Sequence, residues 1–400
     1  MIRYNFDKIT NRKGTNCLKY DFAVERGKPA DVLPLWVADM DFPVSEEITK
    51  SLHAAVEHGI YGYSQPKDAY YNAVMNWMER NNNWKTEREW IVKTPGVVFA
   101  LGAAVKAFTD PGDAILIQNP VYYPFTNIIR DNDRRVVDNT LIYEKTAGQS
   151  GDNGYRIDFE DFERKLEQEH IKLFILCNPH NPVGRVWTAE ELQQLGEICL
   201  RHHVIVVSDE IHNDFVYPGY EHTVFATVDP RFAEFTVTCT APSKTFNLAG
   251  LQISNIFIPN EKLRKAFQTE IDKTGYDEPN ALGIVACEAA YRAGEDWLDQ
   301  LRAYLLKNLN FLRNFLQEKI PQIHLVEPEG TYLVWLDCSE LGITGKELDQ
   351  FIVDKAGLWL DGGSMFGPSG AAFQRVNIAC PRATLQLALD KLKTAVDSLK

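Results

Sequence analysis

Three short apolar runs in the middle of the chain constrain its fold more than any other feature: "KLFILC" (172–177), "VIVVS" (204–208) and "FTVTC" (235–239). Their apolar residues are continuous rather than alternating, as in strands buried on both faces. Each run gives way to a polar cluster, "NPHNPVG", "DEIH" and "TAPSK" respectively. Together with "WIVKT", "DAILIQ", "RRVVDNTLI" and "ISNIFI" they make seven candidate strands. Between two of them "TAEELQQLGEICLRHH" reads as a helix. Thr188 and Glu191 form a capping box there, and Leu192, Leu195 and Cys199 recur at helical spacing. The expected fold is α/β, a mostly parallel seven-stranded sheet covered by helices on both sides.

From about residue 286 the pattern changes to long helices such as "WLDQLRAYLLKNLNFLRNFLQEKI", followed by the strand-like pieces "TYLVWLD" and "RVNIAC". This predicts a smaller α+β domain over 286–400. A large domain spans 48–285, and an N-terminal segment, 1–47, packs with the small one. The stretch "AGQSGDNGYRID" (147–158) reads as a surface loop.

Composition serves mainly to exclude. A net charge of −13 over 400 residues argues against nucleic acid and anionic membranes as partners. No apolar run approaches the roughly 18 residues of a membrane span, and "MIRYNFDKITNRKGTN" lacks the apolar stretch of a signal peptide. The expected location is the cytoplasm. The seven cysteines are dispersed and form no CxxC pair, so neither a disulfide framework nor a metal site is indicated.

In an open α/β sheet, ligands bind beyond the carboxyl ends of the strands. That rule brings Asn181, Asp209, His212 and Lys244 toward one site. No GxGxxG follows a strand, and neither a Walker A sequence nor a GxSxG elbow is present. "DGGSMFGPSG" (361–370) has the wrong glycine spacing for a dinucleotide. A lysine needed for its amine, an aspartate on a neighbouring strand and an anion site together point to pyridoxal 5'-phosphate. The aldehyde requires the lysine, and a protonated pyridine nitrogen requires the carboxylate. The phosphate requires a helix N-terminus, which "TPGVVFALGAAVKAF" offers at Gly96, Val97 and Val98. Arg375 sits in an otherwise apolar strand, where an unpaired guanidinium is costly. It either takes a ligand's carboxylate or belongs to a buried ion pair.

Over essentially its whole length the chain resembles the class I/II aminotransferase group of fold-type-I pyridoxal phosphate enzymes. Within that group it is most similar to the MalY/PatB-type cystathionine β-lyases, or C–S lyases. The residues carrying the resemblance are "LPLWVADMDFP" (33–43), "YGYSQPKDAYYNAVMNWM" (61–78), "NPVYYPF" (119–125), "NPHNPVGRVWT" (178–188), "SDEIHNDFV" (208–216), "APSKTFNLAGLQ" (241–252) and "FQRVNIACPR" (373–382). It implies a covalent bond from Lys244 to the cofactor, with the freed amine moving the substrate's α-proton. It also implies Asp209 at the pyridine nitrogen, Asn181 at the phenolic oxygen and near the substrate carboxylate, and Tyr122 stacked on the ring. Ser243 and the backbone of Gly96 and Val97 would hold the phosphate, and Arg375 the substrate's α-carboxylate. Tyr63 would reach the phosphate of a neighbouring subunit, so the implied assembly is a homodimer with a shared active site.

His212 stands where many relatives have a tyrosine, and either bonds the phenolic oxygen or only packs. The chain departs from the common pattern at Gln252, where many relatives have a phosphate-neutralising arginine, and at Ala241, where many have serine. The implied activity is cleavage of L-cystathionine, L-cysteine or related S-conjugates to pyruvate, ammonia and a thiol. The alternatives are transamination at the same site, and an added role restraining a transcriptional activator.

Overall fold

All seven apolar runs are strands of one sheet in the computed structural model, which describes residues 2–145 and 153–399. The strands are β1 (Ile91–Thr94), β2 (Ala114–Ile117), β3 (Arg135–Asp138), β4 (Leu173–Cys177), β5 (Ile205–Asp209), β6 (Thr236–Thr240) and β7 (Ser254–Phe257). Their spatial order is β1-β7-β6-β5-β4-β2-β3. Only β7 runs against its neighbours; the pairings among β2 to β6 are all parallel.

The continuous apolar runs follow from burial on both faces. Along β4, Leu173, Ile175 and Cys177 pack into one hydrophobic cluster while Phe174 and Leu176 pack into another across the sheet. Each such side chain contributes about 1.5–3 kcal/mol relative to exposure. The helix Ala189–Arg201 covers one face and begins with the expected capping box, in which Thr188 Oγ1 accepts from the Glu191 N–H while the Glu191 carboxylate accepts from the Thr188 N–H. It packs so closely that a Cβ on Gly196 would lie 2.0 Å from the Phe232 ring.

"RRVVDNTLI" is one expected strand but two observed ones. It breaks after Asp138, because Asp138 and Asn139 turn their side chains to neighbouring segments, accepting from the Asn119 N–H and donating to the Asp158 carbonyl respectively. Ile142–Tyr143 then pairs antiparallel with Tyr155–Arg156 in a separate ribbon. Of the expected surface loop 147–158, residues 147–152 lie outside the described residues. The remainder is built in, since Asn153 and Tyr155 are buried and Asp158 caps the helix Phe159–Gln168.

C-terminal to the large sheet, the 25-residue helix Glu295–Lys319 leads to a second, antiparallel sheet. Its order is His324–Val326, Leu333–Asp337, Phe373–Asn377, Asp361–Gly362. The N-terminal segment joins this region: Leu33–Pro34 pairs in parallel with Leu358–Trp359. Among the described residues, no helix is long and apolar enough to cross a membrane.

Candidate active site

The carboxyl edge of the large sheet carries a cavity of about 170 Å³. Consecutive strands deliver its walls. Asp209 is the last residue of β5, and Asn181 follows β4. Lys244 lies in the single helical turn Pro242–Thr245 after β6, and Gly96 caps the helix Val97–Phe108 after β1. Because β7 is antiparallel, its first residue, Ser254, arrives at the same edge. Gly96, Val97, Tyr122, Asn181, Asp209, His212, Ser243 and Lys244 all line this one cavity.

Arg375 enters from the second sheet. Its Nη1 donates to Asn181 Oδ1 at 2.9 Å, its Nη2 donates to the Trp36 carbonyl at 3.0 Å and to the Asp361 carboxylate, and its Nε has no partner. The two readings of Arg375 are therefore compatible. An ion pair with Asp361 across adjacent strands supports a guanidinium only 3% exposed and still leaves a donor unused.

Tyr63 is not brought to the cavity of its own chain; it is 95% exposed. Gln252 is also outside, exposed and in the left-handed region at φ 51°.

The electrostatics are those of an unfinished site. Asp209 is 4% exposed, accepts one backbone N–H from Ile211 at 3.2 Å, and pairs with no cation. Burial pushes its carboxyl up to about 7. Lys244 donates to the Ala38 carbonyl at 3.2 Å, and desolvation, reinforced by the charge of Arg375, brings its amine down to about 8. His212 is held well below its ordinary value by burial and by the charges of Lys244 and Arg375, and its Nδ1 is unpartnered. Ser254 Oγ is likewise buried without a partner.

A buried carboxylate without a cation, an amine near neutrality and a helix N-terminus are complementary to pyridoxal phosphate's pyridinium, aldehyde and phosphate. At that N-terminus Gly96 leaves its backbone open, for a Cβ there would meet nothing within 4 Å. The residues fit the group.

Several functional contacts escape a reading of side chains. Ala38 and Trp36 act through backbone carbonyls; Tyr332 Oη donates to the same Ala38 oxygen at 2.8 Å as does Lys244. Asn247 Nδ2 donates to the Met40 and Phe42 carbonyls, and Asn377 Nδ2 to those of Val37 and Asp39. These bonds explain why "WVADMDF" and "SKTFN" are read together: one segment is tied to the other. Ser254 stands two residues beyond Gln252, inside an apolar strand that offers no hint of a ligand.

Fold and cavity define a class, that of α/β enzymes built to hold an aldehyde cofactor on a lysine at the edge of a mainly parallel sheet. The chain belongs to the aminotransferase class I and II family, whose profile matches residues 30–392. It is 46% identical to cystathionine beta-lyase PatB of Bacillus subtilis, covering 98% of this chain and all of that one. It is 31% identical to protein MalY of Escherichia coli, over 99% of this chain and all of the relative. Among solved structures it is similar to cystalysin from Treponema denticola, which contains a pyridoxal 5'-phosphate cofactor (TM-score 0.95, 37% identity, full coverage of both chains). A pyridoxal-phosphate-bound C–S lyase from Staphylococcus hominis matches with a TM-score of 0.91 and 35% identity, covering 99% of this chain and 98% of that one.

Proposed function

We propose that this protein is a pyridoxal-phosphate-dependent C–S β-lyase acting on L-cystathionine, L-cysteine or related cysteine S-conjugates. The observation that carries the reading is the pairing, in one cavity, of Asp209 without a cation and Lys244 with an amine down at about 8. The names of the lyase relatives, over the full length of the chain, support elimination over transamination. When bound, pyridoxal phosphate supplies an electron sink conjugated to the substrate's α-carbon.

The chain's own residues have distinct tasks. Asp209 Oδ2 keeps a proton on the ring nitrogen facing it, and burial strengthens that charge pair. The N–H groups of Gly96 and Val97, with Ser243 and the unpartnered Ser254 hydroxyl, hold the phosphate in place of the arginine that Gln252 does not supply. Tyr122 packs its face against the ring, and His212, neutral, offers Nδ1 as a hydrogen-bonding group.

Arg375 and Asn181 fix the α-carboxylate, which turns the α C–H toward Lys244. Nζ of Lys244 takes that proton, for which an amine near neutrality suits the task. The thiol then departs from Cβ, and the three-carbon remainder takes up water to give pyruvate and ammonia.

The same reading places Tyr63 in the cavity of a second copy, making a homodimer, and the enzyme in the cytoplasm. It divides the chain into a segment 1–47, a cofactor-binding domain 48–285 and a small domain 286–400.

The test is to mix the purified holoenzyme with L-cystathionine, without a keto acid, and follow pyruvate and free thiol. Stoichiometric release of both is expected. Turnover that occurs only with 2-oxoglutarate, or with no free thiol, identifies an aminotransferase instead.

A further inference from the structure

Behind the Arg375 clamp lies a second cavity of about 210 Å³, and its lining has the chemistry that receives a zwitterion. Trp36 and Asp361 line it, and the same two residues hold Nη2 of Arg375, so the two cavities share a wall. The Trp36 indole stacks on Trp359, with ring centroids 4.4 Å apart and an interplanar angle of 13°. Trp36 is 7% exposed, yet its Nε1–H has no partner. A buried donor left unmade is unfavourable and therefore calls for an acceptor.

The Arg26 guanidinium stands 5.3 Å over the Trp36 ring, and Lys28 lies beside it. Neither cation forms an ion pair with a carboxylate among the described residues. Asp349 supplies the opposite charge; it accepts one hydrogen bond from Gln374 Nε2 at 2.7 Å and is likewise paired with no cation. The lining thus offers two cations and an N–H for a carboxylate, a carboxylate for an ammonium, and a pair of indoles for the methylenes between them.

We propose that this cavity receives the far end of a thioether substrate, so that the preferred leaving thiol is itself an α-amino acid. The inference rests on the lyase reading above and sharpens it. L-Cystathionine carries at its far end a second ammonium and a second carboxylate, whereas S-methyl-L-cysteine ends in a methyl group. Two observations favour a substrate subsite over an independent effector site. The shared wall sets the cavity directly against the clamp for the reacting end. Tyr123, whose ring centroid is 5.4 Å from that of Tyr122 in the first cavity, lies within the fields of Arg26, Asp361 and Arg375 together, so Arg26 faces the same mouth.

The experiment compares kcat/KM of the holoenzyme for L-cystathionine with that for S-methyl-L-cysteine. Arg26→Gln is expected to lower this ratio by roughly tenfold or more, the loss of a charge-assisted hydrogen bond, carried mainly by KM. Arg26→Lys is expected to restore most of it. Arg26 is exposed, which favours a folded variant; Lys28→Gln provides a second measurement of the same ratio.

An unchanged ratio in both glutamine variants, with wild-type enzyme cleaving both thioethers, overturns the subsite and leaves the lyase reading standing. A free amino acid such as L-homoserine that alters S-methyl-L-cysteine turnover only when Arg26 is present makes the cavity an effector site and also overturns it. Failure of the wild-type enzyme to release pyruvate from either thioether overturns the lyase reading and the subsite with it.

Discussion

Replacing Asp209 with asparagine should make the cofactor-free protein more stable at neutral pH while abolishing its activity. Asp209 is buried without a cation, and its carboxyl lies at about 7 in the folded chain against an ordinary 3.8. Between those values the folded state holds more protons than the unfolded one, so stability falls as pH rises. The penalty is absent below pH 3.8, grows by about 1.36 kcal/mol per pH unit, and is complete above pH 7 at about 4 kcal/mol. Asparagine keeps the acceptor for the Ile211 N–H and carries no charge. Its new amide N–H₂ lacks a partner, which offsets about 1–2 kcal/mol at every pH.

The pH-dependent part is the diagnostic one. From pH 5 to pH 8 the difference between variant and wild type should grow by about 3 kcal/mol. For 400 residues the unfolding entropy is roughly 0.8 kcal/mol per kelvin, so the gap in Tm should widen by about 3–4 °C in the variant's favour. The assay is thermal unfolding of both cofactor-free proteins across that range, followed by turnover after reconstitution. A gap that stays constant with pH refutes the buried, uncompensated carboxylate. Near-normal kcat in the reconstituted variant refutes its role at the ring nitrogen.

Lys244→Met should flatten a different part of the same profile. The amine of Lys244 sits at about 8 against an ordinary 10.5, so the unfolded chain holds more protons in that window. Cofactor-free wild type should therefore gain stability from pH 8 to 10.5, by no more than about 3 kcal/mol, a gain absent from Lys244→Met in matched unfolding curves. Gly196→Ala drives a Cβ into Phe232 and should cost about 1–3 kcal/mol in a urea titration, with kcat per folded molecule unchanged. Lys244→Ala and Tyr63→Ala chains, each defective alone, should regain about a quarter of wild-type activity when unfolded together at equal amounts and refolded, because half the dimers then carry one intact site. No recovery means that Tyr63 serves no neighbouring site.

Most of the large sheet is legible because burial on both faces leaves a signature within five consecutive residues, as in "LFILC". The site's side chains are legible for a related reason, since each stands where such a run stops. What escapes notice is long-range or backbone-borne. Asp361 meets Arg375 through strand register, and its surroundings, "DGGSMFGPSG", draw attention to glycine instead. The carbonyls of Trp36 and Ala38 carry no mark of residue type at all. The break after Asp138 is hidden by the apolar residues on either side of two polar ones that look like ordinary strand positions.

The tie between Trp36 and Arg375 also has a consequence for how the chain is made. The two residues are 339 positions apart. At about 5–20 residues per second, the ribosome finishes the second roughly 20–70 s after the first. Throughout that interval the segment "LPLWVADMDF" has neither its partner strand at Leu358–Trp359 nor the Asn377 amide that later fastens it. Its tryptophan, leucines and phenylalanine stay uncovered while the large sheet is already able to form behind them. The clamp, the carbonyl that steadies Lys244 and the wall between the two cavities all close in the last moments of synthesis, when both ends of the chain first meet.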